Sequence, residues 1–167
     1  MSTVLITHPS FLAHDTGEYH PERPDRLRAI LKALQDKAFA GLVRAEAPKA
    51  TMEQLTRVHP AQLVETLLNV NPPPGELVNV DADTVISAGT GEAIQRAAGA
   101  LVLGVETVFE ERAESVFAAV RPPGHHASAT LPAGFCLFNN VVIGARHAHH
   151  QAEIGDQAII GAEHRRA

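Results

Sequence analysis

The apolar run Ser115-Val-Phe-Ala-Ala-Val120 stops against Arg121-Pro-Pro-Gly-His-His126, and this junction constrains the fold more than any other feature of the chain. The run reads as a buried strand. The Pro-Pro-Gly turn places two adjacent histidines, His125 and His126, at the strand's C-terminal end. In open α/β sheets that edge is where ligands bind. Val4–Thr7 is a second β-branched run and predicts a parallel neighbour in the same sheet.

Helices are expected around these strands. Pro24 suits the first turn of a helix, and Leu27, Ile30, Leu31 and Leu34 recur at helical spacing until about Gly41. Thr51 and Gln54 have capping-box spacing and open a short helix through about Val58. Ala61–Val70 reads as another helix, ended by Asn71-Pro-Pro-Pro-Gly75. Thr90 is placed to cap a long helix over Gly91–Glu110, with Ile94, Ala97, Ala98, Leu101, Val105 and Val108 on one side. Asn139 to about Ala152 is a further helix, and Ala158–Ile160 a candidate third strand. His8–His20 lacks periodicity and reads as a loop. The alternation predicts an α/β fold with a parallel sheet and flanking helices. Two or three strands leave such a sheet unfinished.

The 167 residues suffice for one domain with a core, and 45% hydrophobic with 20% charged residues fits a soluble globular chain. The net charge of −5 gives no electrostatic reason to bind nucleic acid or an acidic membrane surface. A single cysteine, Cys136, excludes an intrachain disulfide and fits a reducing, cytoplasmic setting. The N-terminus does not read as a signal peptide, and no window approaches the ~18 apolar residues of a membrane span.

Arg121-Pro-Pro-Gly-His-His-Ala127, followed by Gly134-Phe-Cys-Leu-Phe-Asn-Asn140, closely resembles the active-site signature of the zinc-dependent histone deacetylase and acetylpolyamine amidohydrolase family. His20-Pro-Glu-Arg-Pro-Asp-Arg26 resembles that family's N-terminal motif. Asp81-Ala-Asp-Thr84 with Ser87-Ala-Gly-Thr90 resembles the loop before its long helix. The likeness covers residues 1–150, the N-terminal part of a deacetylase-like domain. It implies an arginase/deacetylase-like fold, here its front half. It also implies hydrolysis of acetylated lysine or acetylpolyamine amides in intact relatives, with Zn2+ as Lewis acid and source of hydroxide.

Amide hydrolysis needs an activated water and a proton for the leaving amine, and histidine titrates near working pH. The resemblance makes His126 the general base and acid, and gives His125 an electrostatic role. The alternative for such a pair is an exposed loop. Gly134 and Phe135 correspond to the lining of a narrow apolar tunnel, where a flat ring suits an aliphatic chain. Without the motif, Phe135 reads as core. Asp83 corresponds to a rim residue that binds the substrate backbone, although Asp81 and Asp83 equally suit a turn. Arg26 corresponds to an arginine beside an acetate-release cavity, and as a guanidinium it can grip a carboxylate. It reads equally well as a surface helix arginine. Cys136 reads as a small buried residue, not a nucleophile. His147, His149 and His150 lie near the expected end of the last helix, where the helix dipole favours them without any metal.

The resemblance breaks after this point. Residues 151–167 form a divergent tail without the family's Asp-x-Asp-x-His-His metal-ligand motif. Aligning the strand candidate puts Gly161 and Glu163 at two aspartate positions and Arg165 at the ligand histidine. Arginine has no lone pair for a metal, and His164 would point to the opposite face from Glu163. No zinc ligand is therefore assigned in this chain. It is expected to be a truncated, frame-altered or split deacetylase, inactive alone. The alternative is a non-catalytic remnant that acts as a binding module. Its expected partners are an acetylated lysine or polyamine and, through an uncovered sheet edge, a second copy; neither nucleic acid nor membrane is expected.

Overall fold

The computed structural model describes the backbone of residues 2–163 and the side chains of residues 2–154. β1 (Thr3–Thr7) is the middle strand of a parallel three-stranded sheet, between β2 (Val43–Glu46) and β5 (Ser115–Ala118). Val4 pairs with Val43 on one side and with Val116 on the other. A middle strand is covered on both faces, so Val4, Leu5 and Ile6 are consecutive apolar residues and all are buried. The threonines fasten its ends: Thr3 Oγ1 lies 2.7 Å from Ser115 Oγ, and Thr7 Oγ1 donates to the Ala119 carbonyl at 2.9 Å.

β5 has the expected parallel pairing but not the expected burial, since Phe117 is 45% exposed. Its outer edge has no strand partner among the described residues. β2, the opposite edge, was not anticipated. Val-Arg-Ala-Glu carries no apolar run because three of its four residues are exposed.

α5 (Thr90–Phe109) is the central helix, with two sides serving two cores. Ala93, Ala97 and Ala100 meet Leu5, Ile6, Phe11 of α1 (Ser10–Ala13) and Leu27 of α2 (Pro24–Ala33). Ile94, Ala98 and Val102 meet Leu55 of α3 (Met52–Thr56), Val64 and Leu67 of α4 (Ala61–Asn69), and Ile143 of α6 (Asn140–Glu163). Small residues on α5 permit close approach. At Gly99 a Cβ would overlap the Pro48 carbonyl and come within 2.8 Å of Ala50 N. Gln95 closes the same crossing: its carbonyl accepts from Ala50 N–H at 3.0 Å and its Nε2 donates to the Ala50 carbonyl at 2.9 Å.

Several boundaries differ from expectation. α2 stops at Ala33, well short of Gly41, because Asp36 accepts from Ala38 N–H and starts a separate 3-10 turn at Lys37–Phe39. The capping box at Thr51 and Gln54 forms. Gly89, not Thr90, is the N-cap of α5. The Thr90 hydroxyl turns inward instead, accepting from Ser87 N–H at 2.7 Å and meeting His14 Nδ1 at 2.8 Å. Ala158–Ile160 is not a strand: α6 runs through it to Glu163. No proline interrupts its hydrogen-bond ladder. The region 8–20 contains α1, and a short antiparallel pair, β3 (Val78–Asn79) and β4 (Val85–Ile86), flanks the Asp81 turn.

Candidate active site

The chain leaves β5 through Ala119 and Val120 into a cis Arg121–Pro122 peptide. Gly124 then passes so close to the start of α6 that a Cβ there would lie 2.5 Å from Asn140 N. His125 and His126 follow at the C-terminal edge of the sheet, both exposed, with ring centroids 4.1 Å apart. The His126 N–H points at Cys136 Sγ, 3.4 Å away. Cys136 is buried and burial pushes its thiol up, which disfavours the nucleophilic thiolate.

Ala133 and Cys136 exchange backbone hydrogen bonds of 3.0 and 2.9 Å across Gly134 and Phe135, whose φ angles are +54° and +69°. Two positive φ values in a two-residue hairpin loop are the mark of a type I′ turn. Glycine is needed at 134 because a Cβ would meet the His126 ring at 3.0 Å. Phenylalanine at 135 is unexpected: a non-glycine residue in this region costs about 1–2 kcal/mol. Its N–H donates to Thr84 Oγ1 at 3.1 Å, and its ring meets the His20 ring edge-on at 5.0 Å.

These residues share a cavity of about 440 Å³, walled by Arg26, Phe117, His125, His126, Gly134 and Phe135 among others. Two stretches far apart in sequence, 22–30 and 117–135, thus meet at one place. Arg26 is exposed, donates to the Pro21 carbonyl at 3.2 Å, and makes no ion pair among the described residues. Asp83 does not line this cavity. It stands beside it, where its carbonyl accepts from His20 Nε2 at 3.0 Å. That bond fixes the His20 tautomer, whose Nδ1 accepts from Glu22 N–H. Asp81 is the turn former. Backbone N–H groups, that of Asp83 first, hold its carboxyl below the usual carboxylate range.

A buried ion pair was not foreseen. Arg121 Nε and Nη2 grip Glu22 Oε1 and Oε2 at 2.6 and 2.9 Å. Nη1 donates to the carbonyls of Phe11 and His14 at 2.7 and 2.9 Å, and Nη2 also to the Glu22 carbonyl. A charge directly closing an apolar strand needs a partner, and that was the available signal in the sequence. His14 lies beneath, 1% exposed. Burial, then the Arg121 charge, then His20, lower its pKa to about 3. Its Nε2 is 3.8 Å from Glu22 Oε2. At neutral pH this is no ion pair, because the imidazole is neutral and Arg121 already occupies the carboxylate. His59 was also missed: Nδ1 donates to the Ala129 carbonyl and Nε2 accepts from Asn139 N–H, tying the middle of the motif segment to the residue before α6.

The last histidines have a different explanation from the one expected. His147 lies within α6, not at its end, and is buried. Arginine can only donate, so Arg57 Nη1 donates to His147 Nδ1 at 3.2 Å, and Nε2–H donates to Glu106 at 3.1 Å. His149 faces Glu153 instead. Among the described residues, no three His, Cys, Asp or Glu side chains come together to hold a metal. His164 and Arg165 lie outside the described residues. Helix at 158–163 removes the strand alignment that placed Glu163 and Arg165 at ligand positions.

Comparison with known proteins gives a consistent result. The histone deacetylase domain family matches residues 20–160. A probable deacetylase of Archaeoglobus fulgidus is 33% identical over 86% of this chain and 40% of its own length. Histone deacetylase 5 of Arabidopsis thaliana is 37% identical over 84% of this chain and 23% of its own. The crystal structure of the HDA15 HD domain superposes with a TM-score of 0.81 at 31% identity, over 90% of this chain and 43% of that one. The chain therefore spans less than half the length of these relatives. No helix among the described residues is long and apolar enough to cross a membrane. With the histidine pair and the Gly134–Phe135 turn inside the matched region, the chain belongs to the histone deacetylase domain family.

Proposed function

We propose that these residues form the N-terminal part, 1–150, of a deacylase domain and supply its proton-transfer and acyl-binding groups, acting on an acetylated lysine or polyamine amide. His126 moves the proton between water and the leaving amine, and His125 tunes the charge beside it. Gly134 and Phe135 wall the acyl chain. Asp83 receives the substrate backbone at the rim. Arg26 faces the cavity as a cation for the released carboxylate. The observation that carries this reading is the convergence of His125, His126, Gly134, Phe135 and Arg26 on one cavity at the sheet's C-terminal edge.

A zinc site needs three protein donors, and the described residues gather no such set. In this reading residues 1–150 contribute proton transfer and acyl binding, and the chain is expected to be inactive alone. Residues 151–167 are the divergent tail in this reading. Isothermal titration with Zn2+ and turnover of an acetyl-lysine peptide and an acetylpolyamine test it. The expected result is weak surface binding and no hydrolysis. A single submicromolar zinc site, lost in His125→Ala or His126→Ala, would overturn the claim of inactivity. The outer edge of β5, which has no strand partner among the described residues, and its half-exposed Phe117 support self-association of the isolated chain, which sedimentation would detect.

A further inference from the structure

We propose that Glu22 and Arg121 are a positioning pair: their ion pair locks the strand end that carries His125 and His126 onto the segment whose His20 braces Phe135. The significance of the pair rests on the site reading above; its geometry does not.

Arg121 stands four residues before His125, and Glu22 two residues after His20. Both are nearly inaccessible, at 3% and 7% exposed. The two-point grip at 2.6 and 2.9 Å leaves no freedom to slide or rotate. A planar fork of this kind fixes direction as well as distance, which a lysine cannot do. The remaining donors take the Phe11 and His14 carbonyls, so a third segment joins the same point. That segment leads to Asp15, whose N–H donates to Ser87 Oγ at 2.9 Å. From the other end, His20 reaches the Asp83 carbonyl at 3.0 Å and the Phe135 ring at 5.0 Å. A continuous set of contacts therefore links the histidine loop through Glu22 and His20 to Phe135 on the cavity wall.

Stability alone does not account for this arrangement. Burying two charges forfeits their hydration, and apolar residues of similar volume often serve a core equally well or better. What an apolar pair lacks is a fixed relative orientation. The positioning reading thus separates from a merely structural one in what each predicts for the cavity wall.

Three variants of the full chain decide the matter, read by histidine-ring and amide NMR beside thermal melting. Arg121→Lys keeps the charge and loses the fork. Arg121→Met with Glu22→Leu removes both charges and keeps apolar volume. Leu55→Ala weakens the other core. The first two are expected to shift or broaden the His125, His126, Gly134 and Phe135 resonances, whatever their melting temperatures. Leu55→Ala is expected to melt lower and leave those resonances in place. Cavity resonances unchanged in Arg121→Lys, or moved as much by Leu55→Ala, would overturn the proposal. If the double variant fails to fold, Arg121→Lys alone decides. The spectra need neither zinc nor turnover, so failure of the hydrolase reading and failure of this one are separately visible.

Discussion

His14 makes the stability of this protein depend on pH in a range where carboxylates are still ionised. In the unfolded chain a histidine titrates near ~6.5. In the fold, burial and the Arg121 charge lower His14 to about 3. Between these values the unfolded state binds a proton that the folded state refuses, so stability must fall as pH falls. The contribution is fully present above the unfolded pKa and is lost progressively as pH drops towards 3. The limiting slope is about 1.4 kcal/mol per pH unit, and integration from pH 7 to pH 5 gives a loss of about 2 kcal/mol. His59 shifts in the same direction, also through burial, and adds to the total. The isolating variant is His14→Asn, whose amide can replace Nδ1 opposite Thr90 Oγ1 at 2.8 Å. Urea unfolding at pH 7, 6 and 5 gives the free energy at each pH. The wild type should lose about 2 kcal/mol more than the variant across this interval, while His59 contributes equally to both and cancels. Parallel pH profiles for the two proteins would refute the reasoning. They would mean that His14 charges inside the fold, with Glu22 at 3.8 Å as its partner.

Phe135→Gly should be more stable than Phe135→Ala by about 1 kcal/mol in denaturant melts, the reverse of the usual order in regular structure, because φ is +69°. Gly99→Ala should destabilise by about 1–3 kcal/mol or prevent folding, since its methyl would enter the Pro48 carbonyl and push α5 off the 47–50 segment. Thr51→Ala removes one half of the capping box and should lower stability by about 1 kcal/mol in urea titrations, with the site resonances unchanged.

The sequence made legible those parts of the fold in which local chemistry and final environment agree. β1 is buried on both faces and reads as a continuous apolar run. The capping box is a purely local pattern. The site motifs fall on loops at the sheet edge, where a strand that ends in a turn must deliver them. β2 and the end of α6 were lost for the opposite reason. An exposed edge strand needs no apolar residues, so Val-Arg-Ala-Glu carries no strand signal. Ala158-Ile-Ile160 is apolar enough for a strand, but the helix already running from Asn140 continues through it. Thr90 looked like a cap because capping is what threonine usually does before a helix. A buried His14, whose partner no local pattern reveals, claimed its hydroxyl instead.

The same distinction governs the site. His125, His126, Gly134 and Phe135 were legible as residue types, yet what holds them is non-local. Glu22 and Arg121 are 99 residues apart, and His59 reaches Asn139 across 80. Charges and imidazoles of this kind look like surface residues in a sequence because their burial depends on a partner supplied from elsewhere. Each becomes buried only when that partner arrives, and each is then fully hydrogen-bonded: no buried side-chain polar atom among the described residues lacks a partner. The chemistry-bearing residues of this chain therefore announce themselves locally, while the groups that aim them are fixed only by the tertiary fold. Arg121, standing between an apolar strand and the histidine pair, is where the two kinds of information meet.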